Sequence, residues 1–376
     1  MTASHRPHLL FGLALLGLVM AEARGLETIE ADDNPASRRI VVTKVPVRNG
    51  MYDPSVEYDT QGVGWMAYSR VTLPSKVDTV IAKSTNRGKT WRFVKLVNAS
   101  VPGSVRRNGA IIKGVWRYET PSLVHDPGDS ARRRWKLFTH RYLVEAPYGD
   151  EDRDLAGGHI EYRYAAAPQG PWSKPIRLFG KTGTGARVDI NSLARTLRGN
   201  AFYTEIGTVE NNGVLYMSLD ASATASGVGA WGKRKLILLA SHDHARTWSY
   251  AGTLTNFLDA LSFGYAAFTG SSLAAQNGRL FALITPTGTI KPLAANRGHD
   301  GTFVVEFSDI GQARLMRDRN GKLAVSQALL ISSKAGSGGL SDYDEQNTAG
   351  GVLLPQVMPT LAPKVYQVYN TGVSLR

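Results

Sequence analysis

One polar turn occurs twice in this chain, and that repeat constrains the fold more than any other feature. Ser84-Thr85-Asn86-Arg87-Gly88-Lys89-Thr90-Trp91 and Ser241-His242-Asp243-His244-Ala245-Arg246-Thr247-Trp248 carry Ser, Thr and Trp at the same spacing, with Asn or Asp two residues after the Ser. Each follows a β-rich run, Thr79–Lys83 and Lys235–Ala240. In such a turn a short polar side chain bonds back to the backbone, Gly takes positive φ, and Trp packs under the hairpin. Repetition at long spacing means repeated sheet units that bury their faces only against one another.

A second repeat marks where each unit starts. Asp53-Pro54-Ser55-Val56, Thr120-Pro121-Ser122-Leu123, Asn191-Ser192-Leu193 and Ser271-Ser272-Leu273 each precede a turn and an apolar strand. Their spacing of roughly 65 to 85 residues suits one four-stranded blade with its loops. The tail supplies a fifth unit around Gly351–Leu354 and Val365–Tyr369, with Asn370–Leu375 as a final strand and Ile40–Val45 closing the ring. The 39 Gly and 17 Pro are scattered along the chain, as many short strands joined by turns require. The expected fold is therefore all-β, a five-bladed β-propeller, with six blades as the alternative.

The two polar turns resemble the Asp-box of sialidase-type propellers. A third, divergent turn, Ala165–Trp172 with its Gly170-Pro171-Trp172-Ser173, is similar to the outer hairpin of five-bladed glycosidases of the arabinanase, xylosidase and fructosidase kind. That resemblance implies a glycoside hydrolase with carboxylates in a central pocket: an Asp starting the first blade, an Asp in the second, a Glu acid in the third. Tyr52-Asp53-Pro54-Ser55 matches the first of these. The others are exchanged, with Glu119 where Asp is usual and Asp189 where Glu is usual, so Glu205 and Glu210 stand as substitutes for the third-blade acid.

The residues support this reading independently. Inner strands of a propeller begin around one pocket, and Asp53, Glu119 and Asp189 all lie at or just before a start signature. Hydrolysis of a glycosidic bond needs one carboxyl to protonate the leaving oxygen and one to activate water or attack the sugar. Asp53 is the expected base or nucleophile, Glu119 the proton donor and Asp189 its tuner. Arg48, Arg117 and Arg187 lie near these acids, either pairing with them or gripping an anionic sugar. An arginine cluster keeps a sialidase-like reading open, although the Arg-Ile-Pro entry of sialidases is missing. His159 and Tyr265 are further substrate-binding candidates, with His140 facing the same pocket.

Residues 1–23 read as a signal peptide, with Arg6, an apolar run from Leu9 to Met20 and Ala21-Glu22-Ala23 as the cleavage site. The run is too short for a mature membrane span. Residues 24–376 are then one exported propeller domain, secreted or periplasmic. There is no cysteine, which excludes thiolate catalysis, Cys-zinc sites and iron-sulfur clusters. No cofactor is expected. No metal site is expected either, since the acidic stretch Asp150–Gly158 lacks EF-hand spacing. A net charge of +13 favours acidic partners, with anionic polysaccharide ahead of nucleic acid for an exported chain. The partner expected is a carbohydrate, neutral or anionic; the rival reading is a propeller that binds glycan without cutting it.

Overall fold

A computed structural model describes residues 27–30, 38–45, 49–149, 153–181, 185–223, 234–289, 298–331, 336–358 and 364–376. The chain is an all-β propeller. In the first sheet, Gly50–Tyr58, Gly64–Thr72, Lys76–Ser84 and Trp91–Asn98 follow one another as antiparallel neighbours. The second runs Ala110–His125, Trp135–Glu145, Arg153–Ala165 and Ile176–Gly180; the third Phe202–Asn211, Val214–Ser222, Arg234–Ser241 and Ser249–Thr255. The fourth is Tyr265–Gln276, Arg279–Thr289, Gly301–Asp309 and Val325–Leu330. Leu353–Met358 and Val365–Asn370 form a further hairpin, whose inner neighbour is an irregular segment bridged at Ser337 to Val357 and Asp342 to Leu353.

Side-chain bonds link the five inner segments into a ring, with one link made by Ser218 of the second strand of the third sheet. Leu123 donates its backbone N–H to Ser55 Oγ (2.9 Å), the Ser122 and Thr208 hydroxyls meet at 2.7 Å, and Ser218 Oγ donates to the Ser271 carbonyl (2.7 Å). Ser272 Oγ then donates to Asp342, which accepts the Val56 N–H on its other oxygen (2.6 Å), returning the ring to the first sheet. Each inner segment kinks at an equivalent place. Register breaks fall at Tyr52/Ser55, Glu119/Ser122, Thr204/Gly207 and Phe268/Ser271, and the left-handed residues are Asp53, Thr120, Glu205, Gly270 and Leu340. Four of these are not glycine, a conformation that costs on the order of 1–3 kcal/mol each and gathers at functional sites.

The polar turns form as their residues dictate. Asn86 Oδ1 accepts from Thr90 N (2.9 Å) and Asp243 Oδ1 from Thr247 N (2.8 Å), while Ser84 Oγ and Ser241 Oγ accept from Gly88 N and Ala245 N. Trp91 and Trp248 are buried beneath the two hairpins. Apolar clusters fill the spaces between sheets: one joins Leu236, Leu238 and Leu254 to Phe268, Phe303 and Val305, another Phe138, Ile160 and Phe179 to Met217 and Leu239.

Four sequence expectations are corrected. Asn191-Ser192-Leu193 does not open the third inner strand: Ile190–Ser192 is a 3-10 turn whose N-cap, Asp189, accepts the Asn191 N–H (3.0 Å). The inner strand is Phe202–Asn211, where Glu205-Ile206-Gly207-Thr208 replaces the Pro-Ser wording. Gly207 is required there because a Cβ would lie 2.1 Å from the Ser271 carbonyl oxygen. Arg153–Gly158 belongs to a strand and not to an acidic loop, with residues 150–152 outside the described set. Asn370–Leu375 forms no final strand beyond Asn370. Ring closure is divided: Ile40 donates to the Val368 carbonyl (2.8 Å), but Val42–Thr43 pairs with the first sheet, and Glu27–Glu30 adds to the fourth. The stretch read as a signal peptide lies outside the described residues.

Candidate active site

The kinks place Asp53, Thr120, Glu205, Ser271 and Leu340 around one axial cavity. Asp53 is buried, and its Oδ2 accepts from Ser69 Oγ (2.7 Å) and from the Thr120 N–H of the next sheet (3.2 Å). Burial, then the nearby Glu119 carboxylate, push its carboxyl up to about 7 despite those two hydrogen bonds. Glu205 is raised well above the usual carboxylate range, chiefly by burial and then by Asp53, Asp220 and Glu119. Its Oε2 is enclosed and makes no hydrogen bond among the described residues. Glu119 is half-buried at the same centre, between Arg117 Nη1 (4.0 Å) and Arg153 Nη1 (3.9 Å).

Around this core stand groups that the protein satisfies only in part. Thr120 Oγ1, Ser271 Oγ, Asp220 Oδ1 and His140 Nε2 are buried and make no hydrogen bond among the described residues. Native structures rarely leave such atoms unpaired, and of these residues Thr120 and Ser271 line the axial cavity with Glu205. His140 holds Thr204 Oγ1 through Nδ1 (3.0 Å), and burial pushes its imidazole down to about 3, so it is neutral at pH 7. Asp220 is paired to Arg234 (2.7 Å), and burial still raises its carboxyl to about 6.

The structure brings Asp53, Glu119 and Glu205 together and leaves other candidates elsewhere. Asp189 lies on Val188–Asp189, four strands out from the inner strand of the second sheet, or roughly 19 Å at about 4.8 Å per strand. Arg187 is exposed at the same edge. Glu210, five residues beyond Glu205, lines a cavity at the opposite end of the inner strands with Glu57, His125 and Asp344, and accepts from Gly213 N (2.7 Å). Asp344 and Glu345 belong to that far end too. Arg117 faces Glu119 as alternation predicts, but it also donates to the Pro74 and Ser75 carbonyls and pins the neighbouring hairpin. His159 is buried against Glu161 (3.0 Å), and Tyr265 packs edge-on against Phe303. Arg48 lies outside the described residues.

Asp220, Arg153 and Arg234 escaped sequence reading. Asp220 lies opposite Thr204 on the neighbouring strand, and only the hairpin register brings it beside Glu205.

No family model matches the chain, and no curated protein sequence matches it. Solved structures do. A family-32 β-fructofuranosidase from Bombyx mori, solved as a mutant with sucrose, has a TM-score of 0.53 at 11% identity, covering 89% of this chain and 62% of its own. A family-32 glycoside hydrolase from Bifidobacterium adolescentis has 0.52 at 11%, covering 86% and 53%. Sucrose-6-phosphate hydrolase from Lactobacillus gasseri has 0.50 at 11%, covering 90% and 61%. This chain spans little more than half the length of these proteins. They are β-propeller glycoside hydrolases, and at such identity the likeness speaks for the propeller fold.

Proposed function

We propose that this chain is an exported, five-bladed propeller glycoside hydrolase whose chemistry runs in the axial cavity. One observation carries the reading: buried Asp53 and half-buried Glu205, its Oε2 enclosed, line the same cavity from different sheets, the first carboxyl pushed up to about 7 and the second well above the ordinary range. Export rests on the pattern of residues 1–23.

Asp53 acts as base or nucleophile. Glu205 is the proton donor in place of Glu119, because burial holds its proton and no hydrogen bond restrains Oε2. Glu119 tunes Asp53 by like charge while its two arginines hold it in place. Two carboxyls so arranged protonate the glycosidic oxygen and engage the anomeric carbon or a water. Arg117 and Arg234 are engaged with protein oxygens and Arg187 lies at the sheet edge, so among the described residues the expected arginine clamp is not assembled, which favours a neutral glycoside over an acidic one.

The test is release of sugar from a panel of aryl glycosides and neutral and acidic polysaccharides. Turnover of a neutral member supports the proposal. Glycan binding in the axial cavity with no turnover across the panel replaces it with the binding-protein reading.

The pH dependence follows from the shifted groups. A base must be ionised, so kcat/KM falls as pH drops through about 7. A proton donor must be protonated, so activity falls again on the alkaline side as Glu205 ionises. These carboxyls interact, so the limbs belong to the set. A profile still flat at pH 5 contradicts the assignment of Asp53.

A further inference from the structure

A groove between the first and second sheets, sharing no lining residue with the axial cavity, gathers three cations, Lys83, Arg92 and Arg134. Trp65, Lys83 and Arg92 are successive cross-strand partners, so their side chains stand in a row on one face. Lys83 and Arg92 are thus like charges directly opposite each other, an arrangement that destabilises a sheet unless an anion joins it. Arg134 faces them from the second sheet beside Trp135, on which His125 stacks at 4.7 Å. Among the described residues no carboxylate lies within ion-pair distance of any of the three cations. Lys83 has only the Trp65 ring, 5.9 Å away. The one acid in the groove, Asp59, is taken up by Trp65 Nε1 (3.0 Å) and by the N–H groups of Gln61 and Val63.

We infer that this groove is a second, non-catalytic site that holds a carboxylated polysaccharide chain. Three cations on facing walls suit a linear ligand with charges along its length, and the net charge of +13 draws such a chain in. Single-stranded nucleic acid is disfavoured because it binds by stacking bases on exposed rings, whereas Trp65 and Trp135 are only 6% and 4% exposed. The site is independent of the catalytic proposal, since it is read by binding and not by turnover.

The experiment titrates the mature protein with polygalacturonate oligomers at about 50 mM and about 300 mM NaCl, with neutral arabinan and single-stranded DNA as comparison ligands. Lys83→Gln, Arg92→Gln and Arg134→Gln are made singly and together, with thermal melts to verify folding. Wild type is expected to bind polygalacturonate more weakly at the higher salt, and the triple variant to lose roughly 10-fold or more in affinity at the lower. Asp53→Asn is expected to bind it as wild type does. Unchanged affinity in the folded triple variant overturns the proposal, as does preference for single-stranded DNA. If the triple variant does not fold, the single variants decide: unchanged affinity in all three overturns it.

Discussion

Glu205→Gln is expected to lower kcat/KM on ordinary glycosides by about 100- to 10,000-fold, the usual contribution of a positioned proton donor. Substrates with dinitrophenyl leaving groups need no proton on departure, so they should lose far less. The alkaline limb of the pH profile should disappear in this variant, because the group that titrates there is gone. The prediction separates Glu205 from Glu119, which the sequence had nominated. Both glutamates are half-buried, but Glu119 stands between two guanidinium groups, whereas Glu205, its Oε2 enclosed, lies near the carboxylates of Asp53 and Asp220. Equal loss on activated and unactivated substrates would return the donor's role to another carboxyl.

Lys136→Met is expected to destabilise the protein by about 3–5 kcal/mol, the range for stripping one partner from a buried ionic cluster. Lys136 is fully buried, and its Nζ donates to Asp126 (2.7 Å), Asp129 (3.0 Å) and the Arg133 carbonyl (3.0 Å). The same carboxylates reach the second polar turn, with His244 at 3.0 Å from Asp126 and Arg246 at 3.2 Å from Asp129. The cluster therefore locks the second sheet to the third. Asp126, Asp129 and His244 are grouped closely enough for a metal, but an ammonium already holds both carboxylates. Burial alone would raise the Asp129 carboxyl, yet the Lys136 hydrogen bond and the Ser130 N–H bring it down to about 2. A carboxyl lowered on folding adds stability above pH 4, and this is lost as pH falls towards 2. Chemical denaturation of Lys136→Met at pH 7 checks the magnitude. A loss below about 1 kcal/mol would mean that the cluster relaxes without its lysine.

How much was legible in the sequence follows from the range of the interactions involved. The polar turns were readable because everything that forms them lies within eight residues: Asn86 or Asp243 bonds four residues ahead and Trp closes the hairpin. Asp53 was readable because Pro54 and Ser55 make a repeated wording around it. The third inner strand was misread for a matching reason. Asn191-Ser192-Leu193 imitates the wording, while the true counterpart has Gly207, imposed by the Ser271 carbonyl of another sheet. Asp220 and Arg234 carry no local signal at all, and strands such as Glu27–Glu30 pair with partners some 300 residues away.

The most direct test of the central claim is Asp53→Asn, assayed on whichever glycoside the wild type turns over and followed by thermal melting at pH 8. The carboxyl is raised on folding from 3.8 to about 7. Its ionised form is therefore penalised: stability is fully present below pH 4 and lost as pH rises through 7. Removing the charge should recover about 2–4 kcal/mol at pH 8. The account predicts opposite signs in one variant, with turnover down about 100-fold or more and stability up. Turnover that survives in a folded Asp53→Asn protein would place the chemistry outside the axial cavity and contradict the account.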